Sequence, residues 1–276
     1  MNLKNLIIRS LSGAIYVALI VLGVTTTEWS FVVFSALFTF LGTREFLKMT
    51  KADGPKLNLW VDIIGATTLV GSVGYSYLIQ NSTSALIGIA IILLYFLLRL
   101  TIQLYNKKES PINSLAFSIF ALIYIVVPML SMGAIYTQSQ TLLVLIFIMI
   151  WMNDTGAYVI GSKFGQHGRY RLFPRFSPKK SWEGFIGGIF FSVVAAVLMS
   201  LFMDNMLSMP LMIGLGFLVS IFATWGDLAE SLVKRTVGVK DSGKFMPGHG
   251  GILDRIDSLL FVLPATALFL YIYLAI

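Results

Sequence analysis

The sequence predicts an all-α, polytopic integral membrane protein with about nine transmembrane helices. Three observations predict it. Of 276 residues, 57% are hydrophobic and 12% charged, the latter about half the ~25% usual in soluble domains. A soluble fold could not hide that much apolar surface, and a disordered chain would not carry it. The apolar residues also fall into runs of roughly 20, the number that spans a hydrocarbon core about 30 Å thick. Finally, with those runs placed, all 20 lysines and arginines lie on one side of the membrane.

The first run, Ile7–Val24, is long and no small-residue cleavage site follows it, so it reads as a retained helix rather than a signal peptide. Trp29–Leu47, Val61–Ile79, Ala85–Leu104 and Leu115–Tyr136 are apolar scaffold. Thr141–Ile160, Leu211–Glu230 and Ile256–Ile276 contain or border carboxylates, and Phe185–Met203 lies among them. The cations sit at the N-terminus (Lys4, Arg9) and in four connections. The second carries Arg44, Lys48, Lys51 and Lys56, and the fourth Arg99, Lys107 and Lys108. The sixth carries Lys163, Arg169, Arg171, Arg175, Lys179 and Lys180, and the eighth Lys234, Arg235, Lys240, Lys244 and Arg255. The opposite side holds only Glu28 and Asp204. The positive-inside rule then places the N-terminus in the cytoplasm and the C-terminus outside.

The net charge of +7 follows from these one-sided loops, so a nucleic-acid partner is not called for. The absence of cysteine excludes disulfide frameworks, cysteine zinc sites, iron–sulfur clusters and thiol catalysis. With no extension ahead of the first run, the expected location is a bacterial plasma membrane. The expected organisation is a scaffold and lipid-contact region, 1–136, and a catalytic region, 137–276, with two long cytoplasmic connections at 161–184 and 231–255. No internal repeat supports an inverted-repeat transporter.

Charge is expensive within a bilayer, roughly 2.5–3.5 kcal/mol at mid-helix, so carboxylates there are functional candidates. Asp154 lies toward the inner end of the sixth run. Asp227 and Glu230, spaced i, i+3 on one helical face, end the eighth, and Asp254 and Asp257 repeat that spacing at the start of the ninth. For any one of them, pairing with Lys234, Arg235 or Arg255 is an equally good account. Five carboxylates at one depth are harder to explain without a cation, and an all-oxygen donor set suits Mg²⁺.

Two basic segments flank these helices. Ser177-Pro178-Lys179-Lys180-Ser181 opens the seventh run, where free N–H groups and the helix dipole favour phosphate; a positive cap on a membrane helix is the plainer account. Lys240-Asp241-Ser242-Gly243-Lys244 leads through Gly248-His249-Gly250-Gly251 into the paired aspartates, a pattern of a nucleotide-phosphate and metal site. It is neither a Walker A loop nor a kinase glycine loop. The chemistry leaves His249 open as general base, phosphate donor or turn residue.

Ser231-x-x-Lys234-Arg235, then Lys240-Asp241-x-Gly243, then Pro247-Gly248-His249-Gly250-Gly251-x-x-Asp254-Arg255-x-Asp257 resembles the signature of the phosphatidate cytidylyltransferase (CDP-diacylglycerol synthase) family. Met246 departs conservatively from its pattern. The resemblance extends to Asn153–Tyr158, Ser177–Gly184 and Gly226–Ser231 and covers about 140–260. It implies transfer of CMP from CTP to phosphatidic acid, with release of pyrophosphate, in phospholipid biosynthesis. It also implies Mg²⁺ dependence with a second cation such as K⁺, a site open to membrane lipids, and a homodimer. On it, Asp227, Asp254 and Asp257 are expected to hold metal, with Glu230 and Asp154 as further ligands or supports. Lys234, Arg235 and Arg255 are expected on phosphates. Ser177, Lys179, Lys180, Ser181, Lys240, His249, Gly250 and Gly251 are expected to bind the triphosphate or lipid headgroup. The phosphate nucleophile is largely deprotonated near neutral pH, so His249 is not needed as a base. Two other readings are a CTP-dependent lipid-alcohol kinase and an ion-coupled transporter. The crowding of charge on one face opposes the transporter.

Overall fold

The computed structural model describes residues 3–50, 56–78, 83–105, 111–165, 171–202, 207–245 and 250–275. Among them the chain is almost wholly helical: α1 (Leu3–Thr25), α2 (Glu28–Met49), α3 (Lys56–Leu78), α4 (Thr83–Leu104), α5 (Pro111–Ala121), α6 (Val127–Gln138), α7 (Gln140–Phe164), α8 (Trp182–Phe202), α9 (Met209–Thr236) and α10 (Leu253–Ala275). A short antiparallel hairpin, β1 (Arg171–Phe173) and β2 (Ser177–Ser181), precedes α8. Seven helices are long and apolar enough to cross a bilayer, with 111–138 counted as one, and α1 adds a shorter apolar run, Ser10–Thr25. The chain is an all-α, multi-pass membrane protein.

Local chemistry sets the element ends. Thr27 and Ser30 form a reciprocal capping box that starts α2. The Ser139 hydroxyl accepts from Leu142 N and starts α7. The fifth run is interrupted by one π-helical turn, Leu122–Val126. It lies just before Pro128, which has no N–H and whose ring crowds the carbonyl four residues back.

The helices run further than hydropathy indicates. α7 continues to Phe164 and α9 to Thr236, so Lys163, Lys234 and Arg235 are on helices rather than in loops. The two long connections shrink to 165–181 and 237–252. Arg99, assigned from sequence to a cytoplasmic connection, is inside α4 and 1% exposed. The correction has a physical reason, because its partner Asp62 is also buried and nearly two turns into α3.

The chain divides into two compact units, one of residues 1–137 with 241–255 and one of residues 138–240 with 256–276. In the first, Arg99 Nε meets Asp62 Oδ1 at 2.9 Å. Tyr95 donates to the same oxygen at 2.7 Å and Ser118 to Oδ2 at 2.6 Å. The other guanidinium nitrogens donate to Gln103 Oε1 and Ser114 Oγ. This polar cluster ties α3, α4 and α5 together, while Leu86, Ile89, Leu93 and Leu97 of α4 point outward as lipid-facing surface.

In the second unit, α7 and α8 pack almost backbone to backbone. A Cβ at Gly156 would sit 2.6 Å from Gly187 O, and one at Gly187 would sit 2.5 Å from Ile160 Cβ. Gly161 and Gly184 face each other in the same seam. Small residues of this kind let membrane helices approach. The Asn153 side chain occupies the space beside Gly188 and accepts from Ser220 Oγ at 2.6 Å, which brings in α9.

The Asp62–Arg99 pair gives the first prediction. Arg99→Ala strands a buried carboxylate and should remove about 3–5 kcal/mol of stability. The double variant Asp62→Leu/Arg99→Leu removes both charges and should unfold at a higher temperature than the single variant. Thermal unfolding in detergent checks this order, and a double variant no more stable than the single would show that the stranded charge is not the cause.

Candidate active site

The site in the second unit starts from Ser177-Pro-Lys-Lys-Ser181. These residues form β2, paired with β1 so that Arg171 lies opposite Ser181. Arg171 also donates to Lys179 O at 3.3 Å. The Ser181 hydroxyl then accepts from Gly184 N at 3.1 Å and caps α8. The hairpin thus fixes three cations, Arg171, Lys179 and Lys180, at a helix N-terminus, where free N–H groups already favour anions.

α9 supplies the opposite charge. Lys180 Nζ lies 2.7 Å from Asp227 Oδ2 and 3.3 Å from Thr224 O, while Ser231 Oγ donates to Asp227 Oδ1 at 3.3 Å. The Lys180–Asp227 pair is partly exposed, at 25% and 39% for the two side chains, so its direct stabilisation is small, ~1 kcal/mol at most. Its consequence is positional, since it draws the basic hairpin onto the acidic turn of α9.

Gly226 explains how a second aspartate comes close. A Cβ there would sit 2.5 Å from Asp257 O and 3.0 Å from Ser258 Cα. Only glycine allows α10 this near to α9, and the contact is reinforced by Ser258 Oγ donating to Ala223 O. Asp227, Glu230 and Asp154 are accordingly the charged neighbours of Asp257. Glu230 is fully buried and takes an ion pair from Lys234 one turn on. Arg235 donates to Val239 O at the end of α9.

A cavity of about 700 Å³ opens in this unit, within the size range of small-molecule sites. Arg171, Lys179, Lys180 and Ser181 line it together with Asp154 and Asp227. Ser177, Glu230, Lys234, Arg235, Lys240 and Asp257 are not among its lining residues. Arg171 was read from sequence only as a loop charge; the hairpin that aims it has no alternation long enough to announce a strand.

The first unit holds the other half of the signature. Ser242 and Asp254 bond reciprocally: Ser242 N donates to Asp254 Oδ2 at 3.1 Å, and Asp254 N donates to Ser242 Oγ at 3.3 Å. Gly251 N donates to Asp254 Oδ2 at 2.8 Å. Gly250 has φ +88°, and a Cβ there would meet Asp254 Oδ2 at 2.6 Å, so this turn requires glycine. The Arg255 carbonyl accepts from Tyr16 OH at 2.8 Å. Pro247, Gly248 and His249 lie outside the described residues.

The donor chemistry fits a hard cation. Asp154, Asp227, Asp257 and Glu230 offer oxygen alone. Among the described residues no three His, Asp or Glu side chains already converge as metal ligands.

Comparison with known proteins gives a consistent answer. The cytidylyltransferase family matches residues 7–273. A phosphatidate cytidylyltransferase of Staphylococcus haemolyticus is 33% identical over 255 residues, 91% of this chain and 92% of that protein. One of Staphylococcus saprophyticus is 32% identical over 232 residues, 84% of this chain and 86% of that protein. One of Staphylococcus aureus is 38% identical over 165 residues, 60% of this chain and 62% of that protein. With the match running through both basic connections and all five carboxylates, the chain belongs to the cytidylyltransferase family.

Proposed function

We propose that this protein is a CTP:phosphatidate cytidylyltransferase, which makes CDP-diacylglycerol and pyrophosphate. The observation that carries the reading is the cavity lined by Arg171, Lys179 and Lys180 as well as by Asp154 and Asp227. It offers cations for a triphosphate beside carboxylates for a metal, in a chain of this family. Phosphatidate enters sideways from the inner leaflet, and the basic connections face the cytoplasm of a bacterial cell.

In the reaction a phosphate oxygen of phosphatidate attacks the α-phosphorus of CTP. A new P–O bond forms, the bond to the bridging oxygen breaks, and pyrophosphate leaves with the electron pair. Both reactants are anionic, so the protein's work is to neutralise and align them. Lys179 and Lys180 with Arg171 hold the triphosphate, and Ser177 and Ser181 support that segment. Lys180 is released from Asp227 as it turns to phosphate. Lys234, Arg235 and Arg255 keep the phosphate-facing role that the signature implies, as do Lys240, His249, Gly250 and Gly251. Asp227 and Asp257 would hold a divalent cation, with Glu230 and Asp154 in support, and Asp254 keeps its metal-binding role on its place in the signature. Such a cation, Mg²⁺ with K⁺ as a second ion, would supply charge neutralisation for the anionic reactants and the leaving group. Assembly as a homodimer is carried over from the resemblance.

The decisive assay uses detergent-purified protein with phosphatidic acid, Mg²⁺ and CTP labelled at the α or the γ position. α-label should enter lipid only without chelator, and γ-label should leave as pyrophosphate. γ-label in lipid would indicate a kinase instead. In the same assay Asp227→Asn should lower turnover about 10²-fold or more at saturating Mg²⁺; near-normal turnover would remove Asp227 from the metal set. Gly226→Ala overpacks the α9–α10 contact, at a cost of about 1–3 kcal/mol. It should lower turnover together with thermal stability, and an unchanged enzyme would show that the close approach is dispensable.

A further inference from the structure

Glu45 stands in the last turns of α2, in the half of the chain that sequence reading assigned to scaffold. Its Oε2 accepts from Leu253 N at 2.9 Å, the first N–H of α10. The first N–H groups of a helix have no intrahelical partner, and a carboxylate also suits the positive end of the dipole. The next N–H, that of Asp254, goes to Ser242 Oγ. So two side chains from outside α10, Glu45 and Ser242, fix its first turn and hence the position of the Asp254 carboxylate.

The other oxygen, Oε1, is buried against two signature glycines. A Cβ on Gly243 would overlap Oε1 and sit 2.7 Å from Glu45 Cδ, and a Cβ on Gly251 would overlap the same carboxyl. Positive φ does not explain these glycines, because among the described residues only Gly238 and Gly250 adopt it. The three atoms nearest to such a Cβ on Gly243 all belong to Glu45. The carboxylate therefore occupies the space that Gly243 and Gly251 leave empty, shared at Gly251 with the Ser242 hydroxyl.

We infer that Glu45 is a positioning residue for the transfer reaction: it seats the described signature residues 242–243 and 250–254 and sets the first turn of α10, without touching substrate. This rests on the cytidylyltransferase reading, and its test separates the two. Four proteins are compared with wild type: Glu45→Ala, Glu45→Gln, Gly243→Ala and Gly243→Ala/Glu45→Ala. Label transfer, thermal unfolding and hydrogen exchange of the 242–254 amides are measured on each.

Glu45→Ala should lose about 10- to 100-fold in kcat, the range for residues that orient ligands. Its 242–254 amides should exchange faster while those of α7 and α8 do not. Glu45→Gln keeps an acceptor of the same reach and should recover most of the turnover. Gly243→Ala should lose activity and protection, and the double variant should be no worse than Glu45→Ala alone, because the clash is gone. The proposal is overturned if Glu45→Ala matches wild type in turnover and exchange, if Gln behaves as Ala, or if the Gly243→Ala defect is undiminished in the double variant. If wild type transfers no label, the cytidylyl reading fails by itself, while exchange and thermal unfolding still decide the Glu45 contact.

Discussion

Asp227 and Asp257 are neighbours because Gly226 has no side chain. A carboxylate pair of this kind cannot be produced by attraction, since the two charges repel and each resists leaving water. It has to be imposed by backbone packing, and the packing is visible: Gly226 against the Asp257 carbonyl, reinforced by Ser258 on Ala223 O. The seam of Gly156, Gly161, Gly184 and Gly187 does the same for α7 and α8. It keeps Asp154 on one helix and the capped end of the hairpin on the next around a common cavity.

Once carboxylates are forced together, neighbouring cations balance them. Lys234 pairs with buried Glu230 and Lys180 with Asp227. The two pairs differ in a way that matters for catalysis. Lys234 shares a helix with its partner and Glu230 is fully buried, so that pair is a fixed part of α9. Lys180 comes from the hairpin, and its pair is partly exposed and faces the cavity. On the proposed reading an arriving polyphosphate would compete with Asp227 for Lys180 at little cost, and the same exchange would leave Asp227 open to a cation. Asp62 and Arg99 obey the same rule for a different end, since their pair is enclosed by hydroxyls and an amide and serves to hold three helices.

The all-α membrane architecture was legible because hydropathy and length report it directly, and the family was legible because its signature is dense between Ser231 and Asp257. Helix ends were less so. Hydropathy stops at the first charges, whereas α9 continues through Lys234 and Arg235 to Thr236. Arg99 was misplaced for the same reason: a charge near the end of an apolar run looks like a loop residue unless its buried partner is known. Arg171 was missed because β1 and β2 are only three and five residues long.

Glu45 shows the limit most clearly. In sequence it sits between Arg44 and Lys48, with nothing to mark it. Its actual contacts are about 200 residues away, at Leu253 and the glycines of the signature loop. The glycines were read as part of a nucleotide-phosphate and metal pattern. Gly250 does adopt positive φ, but Gly243 and Gly251 are shaped around a side chain of the protein itself. A glycine records that something comes near and not what comes near, so a glycine-rich loop beside paired aspartates implies phosphate as readily as it implies a buried carboxylate. Only the fold distinguishes the two, and here it gives Gly250 to the turn that holds Asp254 and Gly243 and Gly251 to Glu45.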